Sequence, residues 1–130
     1  MQNAKIKDLT PILEAVGETI IFAYLFGSRA RQETPPYPAR DVDIAVFFAA
    51  SADIGTTRLA LCGALSRALG RNDIDIVVLN ETRNLMLLDD IIRQGIVLLD
   101  RDPDRREAFE VRILHRAIDF KTQRAALMGL

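Results

Sequence analysis

Strands alternating with helices along 130 residues predict a single-domain α/β (α+β) layer structure. Three observations carry that expectation. Four short apolar runs, at 20–26, 42–48, 74–79 and 96–99, have the length and composition of buried strands. Apolar residues recur at helical spacing before, between and after them. The one proline cluster, Thr34-Pro35-Pro36-Tyr37-Pro38, is too short for a domain linker, and repeats and low-complexity tracts are absent, so 1–130 reads as one domain.

The elements follow in order. Leu9, Ile12, Leu13 and Val16 share a helical stripe, with Thr10 and Pro11 suited to an N-cap and first helical position and Gly17 to the stop. The run 20–26, Ile-Ile-Phe-Ala-Tyr-Leu-Phe, is the first strand. Gly27-Ser28 breaks it, and 29–33 can form a short helix capped by Ser28. The proline cluster is a stiff exposed loop, and the second strand spans 42–48. A helix over 56–69 carries Leu61, Ala64, Leu65 and Ala68 on one stripe and stops at Gly70. After the third strand, Leu85, Leu88, Ile91 and Ile92 mark a helix ended by Gly95 as a C′ residue, and 96–99 is the fourth strand. A long helix over about 103–124 is expected to bury Val111, Leu114, Ala117 and Ile118, leaving Phe109, Ile113 and Phe120 off the main stripe.

Composition narrows the function classes. Hydrophobic residues make up 49% and charged residues 27%, ordinary for a globular protein, and a chain of this size can bury a real core. Seventeen basic against eighteen acidic residues give a net charge of −1, which argues against a protein built to ride on nucleic-acid backbones. The single cysteine, Cys62, forms no internal disulfide and reads as a buried structural thiol. No apolar run reaches membrane-spanning length and the N-terminus does not read as a signal peptide, so a cytoplasmic location is expected.

The chemistry lies in the carboxylates. Asp41 and Asp43 stand two apart in an extended run, so they share one face while Val42, Ile44, Val46 and Phe48 take the other. Two carboxylates so close repel each other on a half-buried strand. A divalent cation removes the conflict, and Mg²⁺ is commonly held by one or two carboxylates together with substrate phosphates. The Gly27-Ser28 turn upstream can offer backbone N–H groups to those phosphates. Asp75, flanked by apolar strand residues, is a third acidic group that is costly to bury unless paired or ligated. Asp73 lies on the same face, but it follows Arg71-Asn72 and reads as part of the turn, so Asp75 is preferred. The pattern points to phosphoryl or nucleotidyl transfer.

At this point the chain resembles the DNA polymerase β-like nucleotidyltransferase superfamily, and within it the minimal nucleotidyltransferase (MNT) antitoxins of HEPN/MNT toxin–antitoxin pairs. Gly27-Ser28, twelve intervening residues, Asp41-Val42-Asp43 and then Asp75 match that superfamily's order of motifs. Leu25-Phe26-Gly27-Ser28-Arg29-Ala30-Arg31 looks like its opening strand and turn, and 95–102 with Ala117-Ile118-Asp119-Phe120 looks like its closing segment. Two features depart from the pattern: a spacer longer than the usual ten, with its proline loop near the substrate entrance, and Ala117-Ile118 where the family often has Tyr-Leu. The resemblance implies a nucleotidyltransferase fold, a mixed sheet of three to four strands flanked by helices.

It also implies a mechanism. Asp41, Asp43 and Asp75 would be the catalytic metal ligands for two Mg²⁺ ions, with ATP as substrate. Asp75 would also serve the acceptor hydroxyl. Gly27 and Ser28 would hold the phosphates, and Arg29 or Arg31 would pair with the triphosphate. The implied partner is a HEPN-domain ribonuclease toxin, and the implied reaction moves AMP from ATP to one of its tyrosines. Two other readings stand beside it: nucleotidyl transfer to a small molecule such as an aminoglycoside, and an antitoxin that masks its toxin by binding alone. His115, Phe47 and Phe48 are expected to be structural, and the arginines of the last helix to form a solvated face that can meet a partner.

Overall fold

A computed structural model describes residues 2–27 and 42–129, with residues 2–8 described by backbone alone. Helix α1 spans Gln2–Val16, strand β1 Ile20–Phe26, strand β2 Val42–Phe48 and helix α2 Ile54–Leu69. Strand β3 spans Ile74–Val78, helix α3 Leu85–Gln94, strand β4 Ile96–Asp100 and helix α4 Pro103–Leu127. The expected 29–33 helix and the 34–38 loop lie outside the described residues.

The strands form one mixed sheet in the order β3-β2-β1-β4. β1 runs antiparallel to β2 and β4, and β3 runs parallel to β2. A parallel neighbour requires a crossover, and α2 supplies it. Side-chain alternation then divides the core by sheet face. Ala23, Leu25, Val42, Ile44, Val46, Phe48, Ile76 and Val78 pack with Leu9 and Leu13 of α1 and Leu61 and Leu65 of α2. Phe22, Tyr24, Phe26, Ala45 and Leu79 pack on the opposite face with Leu88 and Ile91 of α3 and Phe109 and Ile113 of α4. Cys62 is half-buried against the first of these layers. Among the described residues, no helix is long and apolar enough to cross a membrane.

Local signals explain most of the helix ends. Asp53 caps α2 by accepting from the Thr56 N–H, and Gly70 closes it at φ 64° with its N–H on the Ser66 carbonyl. Asn84 caps α3 through the Leu87 N–H, and Asp102 caps α4 through the Arg105 N–H, with Pro103 at its start. Gly95 ends α3 as expected, but without the left-handed turn common at such a glycine. Its φ is −72°, and its N–H donates to the Ile91 carbonyl at 2.7 Å. A Cβ there would collide with that carbonyl and approach the Leu25 carbonyl, so close backbone approach is what calls for glycine.

Two expectations are corrected. Thr10 and Pro11 lie inside α1 rather than at its start. The Thr10 hydroxyl donates to the Leu98 carbonyl of β4 at 2.6 Å, a tertiary acceptor that local capping rules do not anticipate. In α4 the buried stripe is Phe109, Ile113 and Ala117, whereas Val111 and Ile118 are each 52% exposed and Leu114 is half-buried. Aromatic packing selects that face. Phe22 stacks on Phe47 at 4.7 Å between ring centroids, and Phe109 closes on both at 5.5 and 5.4 Å. Phe47 and Phe48 are thus core residues, as expected.

Candidate active site

The carboxylates meet where β1, β2 and β3 pass side by side. Phe26, the last residue of β1, is the register partner of Asp43 in β2, and Asp43 is the partner of Asp75 in β3. Neighbouring strands lie about 4.8 Å apart, and directly paired residues present their side chains on the same face. Asp43 and Asp75 therefore emerge together on the sheet face that carries α3 and α4. Asp43 is half-buried and Asp75 is exposed.

Gly27 follows Phe26 at φ 75°, in the left-handed region. A Cβ at this position would run into the carboxylate of Asp43. The turn after β1 and the acidic strand are thus fitted to each other at the atomic level. Glycine meets two demands here, one on backbone conformation and one on space.

Asp75 differs in environment from the buried charge anticipated for it. β3 is an edge strand, so the carboxylate reaches solvent and carries no large desolvation penalty. Asp73 has another engagement. Both its carboxylate oxygens accept from the Arg71 guanidinium, and its backbone carbonyl accepts from the Val42 N–H at 2.9 Å. It sits just before β3, consistent with the turn assigned to it. Ser28, Arg29, Arg31 and Asp41, the remaining candidates, lie outside the described residues.

The donor set suits a hard divalent cation. Asp43 and Asp75 present carboxylate oxygens from adjacent strands, and the absent Gly27 side chain leaves room beside the first of them. Among the described residues, no group of three or more histidines, cysteines, aspartates or glutamates is gathered closely enough to hold a metal, so the described part of the site offers two carboxylates. Mg²⁺ is typically bound by such a pair completed by substrate phosphates.

Three supporting features escaped the sequence reading. Asn80 reaches back to the end of β2, where its Oδ1 accepts from the Phe48 N–H and its Nδ2 donates to the Phe48 carbonyl, each at 2.8 Å. It extends the β2–β3 pairing with a side-chain amide. Tyr24 donates to Glu110 at 2.6 Å, and Arg106 ties Glu110 to Asp100, joining β1, β4 and α4. Burial, and then the hydrogen bond to Glu110, push the Tyr24 phenol above its ordinary range, while the bond to Asp100 heads the causes that raise Arg106. Asp89, buried on α3, accepts from Arg93 at 2.8 Å and Lys121 at 3.2 Å. The i,i+4 spacings Asp89–Arg93 and Arg106–Glu110 are visible in the sequence as the signal for two of these contacts. His115 is exposed on α4.

Several solved structures that resemble this chain are toxin–antitoxin complexes. A tri-AMPylated Shewanella oneidensis HEPN toxin in complex with MNT antitoxin contains a chain that is 26% identical, with a TM-score of 0.72 over 99% of this chain and 97% of that one. A toxin–antitoxin structure with AMP-PNP matches at 26% identity and a TM-score of 0.72, covering 96% and 95%. A mutant toxin–antitoxin pair, MntA-HpeT, matches at 26% identity and a TM-score of 0.74, covering 95% of each chain. No curated protein sequence matches the chain significantly. The family profile described as polymerase beta, nucleotidyltransferase matches residues 7–104, a stretch that contains β1 to β4 and both described carboxylates, and the chain therefore belongs to the polymerase β nucleotidyltransferase family and is a nucleotidyltransferase.

Proposed function

We propose that this protein is an antitoxin that transfers AMP from ATP to a tyrosine of a cognate HEPN-domain toxin. The observation that carries the reading is the end-to-end likeness to a chain crystallised with an AMPylated HEPN toxin, 99% of one chain on 97% of the other. The catalytic fold accounts for nearly all of the residues matched. A protein acceptor brings its own surface.

In this reading the tyrosine oxygen attacks the α-phosphorus of ATP. One O–P bond forms, the bond from the α-phosphorus to the bridging oxygen breaks, and pyrophosphate leaves in line with the attack. The phenolic proton passes to Asp75 or, through it, to water, and the exposure of that carboxylate on β3 lets an acceptor reach it. Asp43, with Asp41 and Asp75, would hold Mg²⁺, which supplies charge neutralisation and a lowered hydroxyl pKa when bound. Gly27 and Ser28 would cradle the β- and γ-phosphates through backbone N–H groups and the Ser28 hydroxyl, and Arg29 or Arg31 would pair with the triphosphate. Catalysis of this kind rests on positioning and electrostatics.

The deciding experiment incubates the protein with labelled ATP, Mg²⁺ and the HEPN protein encoded beside it, then locates the added mass. Adenylyl groups on a toxin tyrosine are the expected result. A stable complex without a mass shift would establish masking by binding alone, and the absence of any complex would return the question to small-molecule acceptors.

A further inference from the structure

The two edges of the sheet are treated differently. At β4, α1 packs close by, with the Thr10 hydroxyl on the Leu98 carbonyl. The Arg101 guanidinium adds bonds to the carbonyls of Glu14, Gly17 and Ile20. At β3, nothing among the described residues pairs with the outer side of the strand.

The parallel ladder determines which groups are left open. Val42 N–H donates to Asp73 O, and Leu79 N–H donates to Val46 O, each at 2.9 Å. Alternation along a parallel pair then turns Asp75 and Val77 toward β2, and Ile74, Ile76 and Val78 outward. The Val78 carbonyl is taken by the Glu81 and Thr82 N–H groups and the Thr82 hydroxyl. Among the described residues, the outward N–H groups of Ile74, Ile76 and Val78 and the carbonyls of Ile74 and Ile76 are left as a strand template. Natural edges are usually blunted by proline, charged side chains or a bulge; 74–78 has no proline and no bulge, and Asp75 is its one charge.

That open edge is also the floor of a groove. A cavity of about 330 Å³ runs along it, lined by Arg58 of α2 on one side, Leu87 of α3 on the other, Asp75 and Val77 along the strand, and Glu81 and Thr82 at the far end. Its near end is the candidate catalytic carboxylate. We propose that this groove receives an extended segment of the acceptor protein, which adds to the sheet as a strand beside β3 and brings its hydroxyl to Asp75.

The inference rests on the proposed transfer to a protein and specifies how that protein is held. Main-chain hydrogen bonds would give affinity and alternate side chains specificity, as in other cases of strand addition. A rise of about 3.3 Å per residue lets the edge from Ile74 to Val78 pair with four or five residues. The acceptor residue opposite Asp75 shares its face, toward α3, which puts its hydroxyl on the same side of the sheet as the carboxylate. The residues on either side of it turn to the opposite face, where Arg58 favours an acidic or hydrogen-bond-accepting side chain.

Amide hydrogen exchange on the full-length protein, alone and with the neighbouring HEPN protein, tests this directly. Expected is at least tenfold slower exchange at Ile74, Ile76 and Val78 in the complex. Asp75 and Val77, already bonded to β2, serve as internal references. Arg58→Glu should raise the KM for the protein acceptor at least fivefold and leave kcat within about twofold. Efficient transfer with unchanged exchange at the three amides would overturn the inference while leaving the functional reading intact. Protection that appears in the protein alone and grows with its concentration would assign the edge to a second copy and overturn it as well. A protein that neither binds nor modifies the HEPN partner would overturn the functional reading, and this inference with it.

Discussion

Gly27 lies against the carboxylate of Asp43, in a backbone conformation of φ 75° and at a separation that leaves no room for a methyl group. The contact links the turn after β1 to the acidic strand beside it. It makes Gly27 a residue whose replacement should act on the reaction more than on the fold.

Gly27→Ala is expected to lose about a hundredfold in nucleotidyl transfer, because the added methyl displaces the carboxylate that must be held in place. The left-handed backbone alone costs a non-glycine residue about 1–2 kcal/mol. Gly70→Ala isolates that cost: its φ is 64°, and nothing lies within 4 Å of the added Cβ. Both variants should melt a few degrees lower, and Gly70→Ala alone should keep wild-type turnover of labelled ATP. Equal activity in the two would show that the Gly27–Asp43 contact does not matter to the chemistry.

The alignment of Asp43 with Asp75 predicts that the two act together and that Asp73 stands apart. Asp43→Asn and Asp75→Asn should each lower transfer by about a hundred- to a thousandfold, the scale of losing one essential electrostatic contact, and leave the fold intact. Asp73→Asn removes the partner of Arg71, a partly exposed pair, and should cost less than about 1 kcal/mol of stability with transfer nearly unchanged. Single-turnover rates for the three variants decide the matter. A severe defect at Asp73 with a silent Asp75 would move the third carboxylate two residues back.

Much of this arrangement is legible in the chain itself, because strands of period two and short spacings dictate it. Asp43 shares a strand with Val42, Ile44, Val46 and Phe48, and that alternation alone puts the carboxylate on one face and the apolar residues on the other. The order of the strands is not legible in this way. That β3 lies at an edge, and so leaves Asp75 in solvent, follows from long-range pairing. Asn80 was missed for a similar reason, since its partners on Phe48 are 32 residues away. Helix α4 is the clearest failure of local reasoning. Its apolar residues spread over more than one face, and two stripes satisfy helical spacing. Only the ring cluster of Phe22 and Phe47, contributed by other elements, selects Phe109.

The reversed stripe can be checked by stability. Phe109→Ala removes a ring that is 5% exposed and packed on two others, and should cost about 3–4 kcal/mol in urea unfolding. Val111→Ala, at a site 52% exposed, should change stability by no more than about 0.5 kcal/mol. The opposite order would restore the face read from helical periodicity alone.

Asp89 should make stability depend on acid. Burial by itself raises its pKa, but the hydrogen bonds from Arg93 and Lys121, helped by their charges, outweigh that and hold it below the ordinary value of 3.8. A depressed carboxylate stabilises the fold fully above its unfolded pKa, and the contribution is lost as pH falls through the folded one. Asp89→Asn should therefore cost about 1–2 kcal/mol at pH 7, a figure held down because both cationic partners are half exposed. Between pH 7 and about 5 the difference from wild type should stay constant, and below about pH 4 it should shrink, since the native side chain is by then taking up its proton. Chemical denaturation of both proteins across that range gives the curve. A gap that widens in acid would mean that Asp89 is stabilised in its protonated form, and that the bridge from Arg93 to Lys121 does not hold α3 against α4.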